Sequence, residues 1–153
     1  MMLRAASCVL VCLGLAGCAG SAQAPGGAVV AGPAPALLAE VNAARSLRSV
    51  PALPEASALS RAAATHAEDM AAKGYFAHNA PDGSTPLRRM RAAGFDACYA
   101  TETIARGQRT EPEVVESWIK SPEDAALIFS PNPTAAGAAR FGTFWVVTLS
   151  RPC

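Results

Sequence analysis

The stretch FWVVTLS, Phe144 to Ser150, constrains the fold more than any other part of this chain. From Phe144 to Leu149 it is almost continuously apolar, which suits a strand. A strand with one wet face alternates polar and apolar residues, whereas one without alternation suits a central position covered on both faces. Helical patterns come first in the chain and strands late. That order favours an α+β layered domain over alternating βαβ units.

Ala36 to Leu47 sets Leu37, Leu38, Val41 and Ala44 on one side of an amphipathic helix. A second helix starts near Pro54 or Glu55 and runs to Lys73, with Leu59, Ala63, His66 and Met70 on one stripe and Gly74 as its stop. His66 belongs to that apolar stripe and reads as a packed histidine with a satisfied ring nitrogen rather than as a ligand. HAEDM lacks the second histidine of a His-Glu-x-x-His zinc motif. PDGSTP is a turn and a helix start, with Thr85 as N-cap and Pro86 in the first helical position. In that helix Leu87 and Met90 pack, while Arg88, Arg89 and Arg91 point outward, until Gly94 ends it.

CYATETIA, Cys98 to Ala105, reads as a strand with Ala100, Glu102 and Ile104 on one face. A carboxylate sharing a face with alanine and isoleucine needs a partner if that face is buried. Tyr99 on the other face leaves open which side faces inward. Thr110 and Glu113 form a capping box for a helix that packs through Val114, Val115 and Trp118. Ser121 and Pro122 open a short helix reaching Phe129.

Met1 to Ala16 carries one early positive charge, Arg4, and then ASCVLVCLGLA, too short to span a bilayer as a permanent helix. It leads into LAGC, Leu15 to Cys18, which resembles the bacterial lipobox. That resemblance implies a signal peptide over residues 1–17, cleavage before Cys18 and diacylglycerol on its thiol; a signal peptide cut after Ala19 or Ala22 is the other reading. Several acyl chains anchor stably where one alone is marginal. Ala19 in place of an aspartate implies an outer-membrane address facing the periplasm. Residues 18–35 then form the lipidated cysteine and a flexible, Gly/Pro-rich tether. Residues 36–153 remain as one domain of about 118 residues.

Cys8 and Cys12 leave with the leader, and lipidation takes Cys18. Cys98 and Cys153 remain, an even pair in an oxidising compartment. A bridge would close a loop of about 55 residues and hold Cys153 in place; two free thiols is the alternative. Of 13 Lys and Arg residues Arg4 departs, leaving 12 against 12 acidic side chains. The mature chain is formally neutral with no basic stripe to collect phosphates, which argues against nucleic acid as a partner.

Several stretches together resemble one family: LLAEVNAAR, LSRAAATHAEDMAAKGYFAHNAPDGSTPLRRMRAAGF, TETIA and VVESWIKSPEDAALIFSPNPTAAGAA, with FWVVTLS closing the chain. Their order and spacing are similar to the CAP superfamily of cysteine-rich secretory, antigen 5 and pathogenesis-related proteins, in its bacterial SCP-like extracellular branch. The resemblance implies a three-layer α-β-α sandwich. It also implies a shallow cavity lined by two histidines and two acidic residues, which in several members holds a divalent metal such as zinc. His78, in YFAH, matches the first histidine. Glu102, in TET, matches the glutamate of the family's Gly-Glu-Asn. The second histidine usually sits in SPGH; here the stretch is SPED, so Asp124 stands at that place. Arg88 falls where the remaining acid lies in bacterial members.

His78, Glu102 and Asp124 can supply three ligands, but a guanidinium cannot ligate and repels a cation. Zinc or another divalent metal is therefore expected to bind weakly or not at all, with His78 and Glu102 as the metal contacts, and no other cofactor is expected. One reading puts Arg88 in the space of the lost metal, neutralising Glu102 and Asp124. The plainer alternative makes Arg88 a solvated helix residue and Asp124 the third residue of a capped helix. No Gly-x-Ser-x-Gly elbow, unpaired thiol or Gly-rich phosphate loop offers other chemistry. The expectation is a lipid-anchored, monomeric envelope protein, a non-catalytic binding module for a small ligand, lipid, glycan or protein. A metal-dependent, peptidase-like hydrolase using His78 and Glu102 is one alternative, and a structural envelope lipoprotein with a vestigial cavity is another.

Overall fold

A computed structural model describes residues 31–153. The expected signal peptide, Cys18 and most of the expected tether lie outside the described residues. Along the chain run β1 (Gly32–Pro33), α1 (Pro35–Leu47), α2 (Ser57–Lys73), α3 (Pro86–Ala92), β2 (Ala97–Arg106), α4 (Glu111–Lys120), α5 (Pro122–Ile128), β3 (Ala135–Phe141) and β4 (Phe144–Pro152). The strands form an antiparallel sheet in the order β1-β3-β4-β2.

The apolar run FWVVTLS lies in β4, paired on both edges, with every residue from Phe144 to Ser150 buried. Its alternate side chains enter different layers. Trp145, Val147 and Leu149 pack with Leu37 and Val41 of α1, Val114 and Trp118 of α4 and Ile128 of α5. Phe144 and Val146 pack on the opposite side with Ala63, Ala67 and Met70 of α2. Helices thus cover both faces, as the composition of β4 indicates, and the domain is the α+β three-layer sandwich that the family resemblance implies.

The approach of α2 to the sheet depends on one missing side chain. A Cβ on Gly137 would lie 2.1 Å from the backbone nitrogen of Ser60 and 2.3 Å from the carbonyl carbon of Leu59. Across the same contact Thr148 Oγ1 donates to Leu59 O at 3.1 Å, so the buried hydroxyl ties helix to strand.

One strand has no signal in the sequence, and three local expectations need correction. The AAGAARF stretch is a strand, β3, although its run of small residues carries neither alternation nor β-branched side chains; the close packing of α2 favours small residues there. Gly32 and Pro33, read as tether, pair with Arg140 and Ala139, and Ala34 N donates to Ala138 O. Pro54 to Ala56 are not helical: Pro54 O accepts from Ala136 N and Ala56 N donates to Ala136 O, so α2 starts at Ser57. Finally, Thr110 Oγ1 accepts from Glu113 N as a cap should, but Glu113 reaches back to Arg109 N rather than Thr110 N.

Cys98 and Cys153 form a disulfide with Cα atoms 4.8 Å apart. The register of β2 against β4 shifts between Ala97 and Tyr99, which leaves Cys98 unpaired in the ladder where it bonds Cys153. Cys153 N also donates to Asp96 O.

Candidate functional site

Glu102 sits in the middle of β2, paired with Thr148 of β4, on the face that α2 and α3 cover. A lone carboxylate on that buried surface would be costly, and the surrounding elements supply its donors. The loop after α2 brings His78. Gly74 ends α2 in the left-handed region, φ 70°, and turns the chain back. Ala80 N then donates to Ser84 O and Gly83 N to Ala80 O, which closes the loop, with Asp82 Oδ1 accepting from Ser84 N. Thr85 Oγ1 caps α3 by accepting from Arg88 N.

Within this frame Glu102 Oε1 accepts from Arg89 Nη2 at 2.9 Å and from His78 Nδ1 at 3.1 Å, and His66 Nε2 lies 3.3 Å from the same oxygen. Oε2 also accepts from Arg89 Nη2, at 2.9 Å. His66 Nε2 donates to Ala77 O at 3.0 Å as well, so its proton is on that nitrogen. Arg89 is held by the loop it packs beneath, donating to Ser84 O through Nη1 and to His78 O through Nη2. Glu102, Arg89 and His66 are buried, while His78 is half-exposed beside a shallow cavity of about 240 Å³ that Asn79, Pro86, Thr101 and Leu127 also line. Beyond His66, Tyr75 Oη lies 3.5 Å from Nδ1 and donates to Asp69 Oδ2 at 2.6 Å.

Burial alone would push the Glu102 carboxyl up. The bonds from His66 and His78, with the Arg89 charge, outweigh it and hold the group down at about 2. The bond to Glu102 raises the pKa of His78 and outweighs partial burial; the nearby charge of Asp124 adds to the rise, and Arg89 opposes it.

The residues expected to line the cavity are not all placed as the sequence suggests. His78 and Glu102 meet. Arg88 does not reach Glu102: it is exposed on α3, and its side chain donates only to Gly83 O at 3.5 Å. Its neighbour Arg89, read as solvent-facing, takes that place. The reason is helical phase, because Arg89 and Met90 are the buried positions of α3 and Arg88 falls on the side of exposed Arg91 and Ala92. Asp124 makes no hydrogen bond to Glu102 or His78; its amide donates to Ser121 Oγ, in the capping position of the plainer reading. His66 is packed with a satisfied ring nitrogen, as its stripe indicates, yet it also joins Glu102. Its spacing could not reveal this, because the contact depends on where β2 lies. Counting α3 from Pro86 would have placed Arg89 one turn on, facing inward.

A divalent metal does not fit this group. Both imidazole nitrogens near Glu102 point protons at it, and both carboxylate oxygens are taken by a buried guanidinium whose positive charge stands where a cation would need to approach. Among the described residues, no cluster of His, Cys, Asp and Glu has the arrangement of a metal site.

The profile of the cysteine-rich secretory protein family, CAP, matches residues 38–142. The uncharacterized protein YkwD of Bacillus subtilis (strain 168) is 34% identical over 106 residues, which are 68% of this chain and 41% of that protein. The chain therefore spans less than half the length of this relative. An outer surface protein from Borrelia burgdorferi superposes with a TM-score of 0.72 at 20% identity, covering 78% of this chain and 92% of that one. An extracellular protein containing a SCP domain from Bacillus anthracis str. Ames gives 0.72 at 22% identity, covering 76% and 39%. These two likenesses speak for the fold. With the profile match over most of the domain, the chain belongs to the cysteine-rich secretory protein family, the CAP superfamily.

Proposed function

We infer that this CAP domain is a non-catalytic binding module of the bacterial cell envelope, tethered by lipid at Cys18. One observation carries the non-catalytic reading: the buried Arg89 guanidinium contacts both oxygens of Glu102. Metal-assisted hydrolysis needs a metal held with an open position for water. Here the carboxylate that would hold it is already neutralised by a fixed charge. His78 remains at the rim, half-exposed and hydrogen-bonded, as a recognition group for a polar ligand rather than as a metal ligand.

The envelope address draws support from the LAGC stretch and from relatives described as an outer surface protein and an extracellular protein. The Cys98–Cys153 disulfide fits the same oxidising surroundings.

Two measurements test the reading. Cells expressing the full chain and fed an alkyne-tagged fatty acid should label it, with the label lost in Cys18→Ser; an unlabelled full chain would remove the anchor. Thermal melts with excess zinc and with excess chelator should superimpose. A melting temperature that climbs with zinc in the native chain but not in Glu102→Gln would restore the metal-dependent hydrolase reading.

A further inference from the structure

A groove of about 520 Å³, larger than the cavity at His78, opens between α2 and α3. Arg61, Thr65, Ser84, Arg88 and Arg89 line it with two alanines, and no acidic side chain does. Arg61 comes from α2 and Arg88 from α3, so it is the fold that brings these two together.

Of the three guanidiniums, only Arg89 has a carboxylate partner, Glu102. Arg61 is oriented by Ala93 O, to which Nη2 donates at 2.9 Å, and by a long contact from Nη1 to Ser57 Oγ. Arg88 reaches only Gly83 O. Neutral acceptors orient a guanidinium without cancelling its charge, and each of these groups keeps unused N–H donors. Arg48, Arg106 and Arg140 differ, since each lies over an aromatic ring. Arg61 and Arg88 instead stand without an ion-pair partner among the described residues, on a concave surface that Thr65 and Ser84 also line.

Paired guanidiniums with hydroxyls beside them match a tetrahedral oxyanion, whose several acceptor oxygens take charge-assisted bonds from both sides. We propose that the α2–α3 groove binds a phosphate group through Arg61 and Arg88, with Thr65 and Ser84 as supporting donors. The group belongs to an anionic phospholipid headgroup or to a soluble phosphate compound. Room beyond a single phosphate leaves space for the body that carries it.

The test uses purified full-length protein at fixed ionic strength. Inorganic phosphate should raise the melting temperature above that in matched sodium chloride, and vesicles of phosphatidylglycerol in phosphatidylcholine should bind more protein than phosphatidylcholine alone. Arg61→Gln and Arg88→Gln should each weaken the response about tenfold, with the ligand-free melting temperature held. A response to phosphate alone assigns the site to soluble compounds, and one to vesicles alone assigns it to the lipid headgroup. If neither probe responds beyond the salt control, or if the double variant responds as the native chain does, the proposal is wrong. The result is independent of the Glu102 cavity, because zinc reports on Glu102 and phosphate on Arg61 and Arg88.

Discussion

One guanidinium nitrogen of Arg89, Nη2, lies 2.9 Å from each carboxylate oxygen of Glu102, and both side chains are buried. The same nitrogen donates to His78 O at 2.8 Å, so a single group joins α3, the loop after α2 and the edge strand β2. A fixed organic cation thus stands beside the buried carboxylate.

Breaking that pair should be expensive. Arg89→Ala leaves Glu102 charged and buried, and chemical denaturation should show a loss of about 3–5 kcal/mol. Arg88→Ala, one residue earlier on the exposed side of the same helix, should stay within about 0.5 kcal/mol of the native chain. Replacing both Arg89 and Glu102 by leucine should cost less than Arg89→Ala, since no unpaired charge then remains.

Acid should weaken the domain through Glu102. In the unfolded chain this carboxyl takes up its proton near the ordinary 4.5, but in the folded chain only near 2. Between those values the unfolded state binds more protons, so stability rises with pH across the window and is lost as pH falls through it. The contribution is on the order of 3 kcal/mol. Urea melts from pH 5 downward should show this slope in the native chain and a flatter one in Glu102→Gln. His78 acts in the opposite sense. Its raised pKa gives stability that is complete below its ordinary 6.5 and fades as pH climbs past the folded value. A proton NMR titration of its ring should have a midpoint above 6.5 that moves down in Glu102→Gln.

Gly137 sets how closely α2 can approach the sheet. A methyl there meets backbone atoms of Leu59 and Ser60 well inside contact distance, and backbone cannot swing aside as a side-chain end can. Gly137→Ala should therefore cost about 3 kcal/mol or more. Gly32→Ala, whose Cβ meets nothing within 4 Å, serves as its control and should leave the melting temperature nearly unchanged.

The disulfide spans 55 residues of sequence and clips the end of β4 to the start of β2. Reduction, or Cys98→Ser with Cys153→Ser, should cost about 4 kcal/mol. Denaturation with and without a reductant measures it. A reduced chain as stable as the oxidised one would show the bridge to be incidental.

The sequence made the layers of this fold legible because β4 and the amphipathic helices carry their burial in their own periodicity. It hid β3, whose AAGAARF is strand-like only because α2 lies against it, a fact about packing and not about the segment itself. The site divides in the same way. His78 and Glu102 were visible through motif resemblance, but Arg89 and Arg88 differ by one step of helical phase, and one step decides which is buried. His66 looked like a core residue and is one. Its contact with Glu102 arises from tertiary placement that no spacing within α2 encodes. The convergence of Arg61 and Arg88 is likewise a product of two helices meeting.

Arg89 contacts both oxygens of Glu102, where a divalent ion would have to bind, and calorimetric titration of chelator-treated protein with zinc tests most directly whether it keeps such an ion out. The predicted result is no saturable one-to-one heat in the native chain. Tight one-to-one binding that Glu102→Gln abolishes would contradict it, because zinc would then have displaced the guanidinium from the carboxylate.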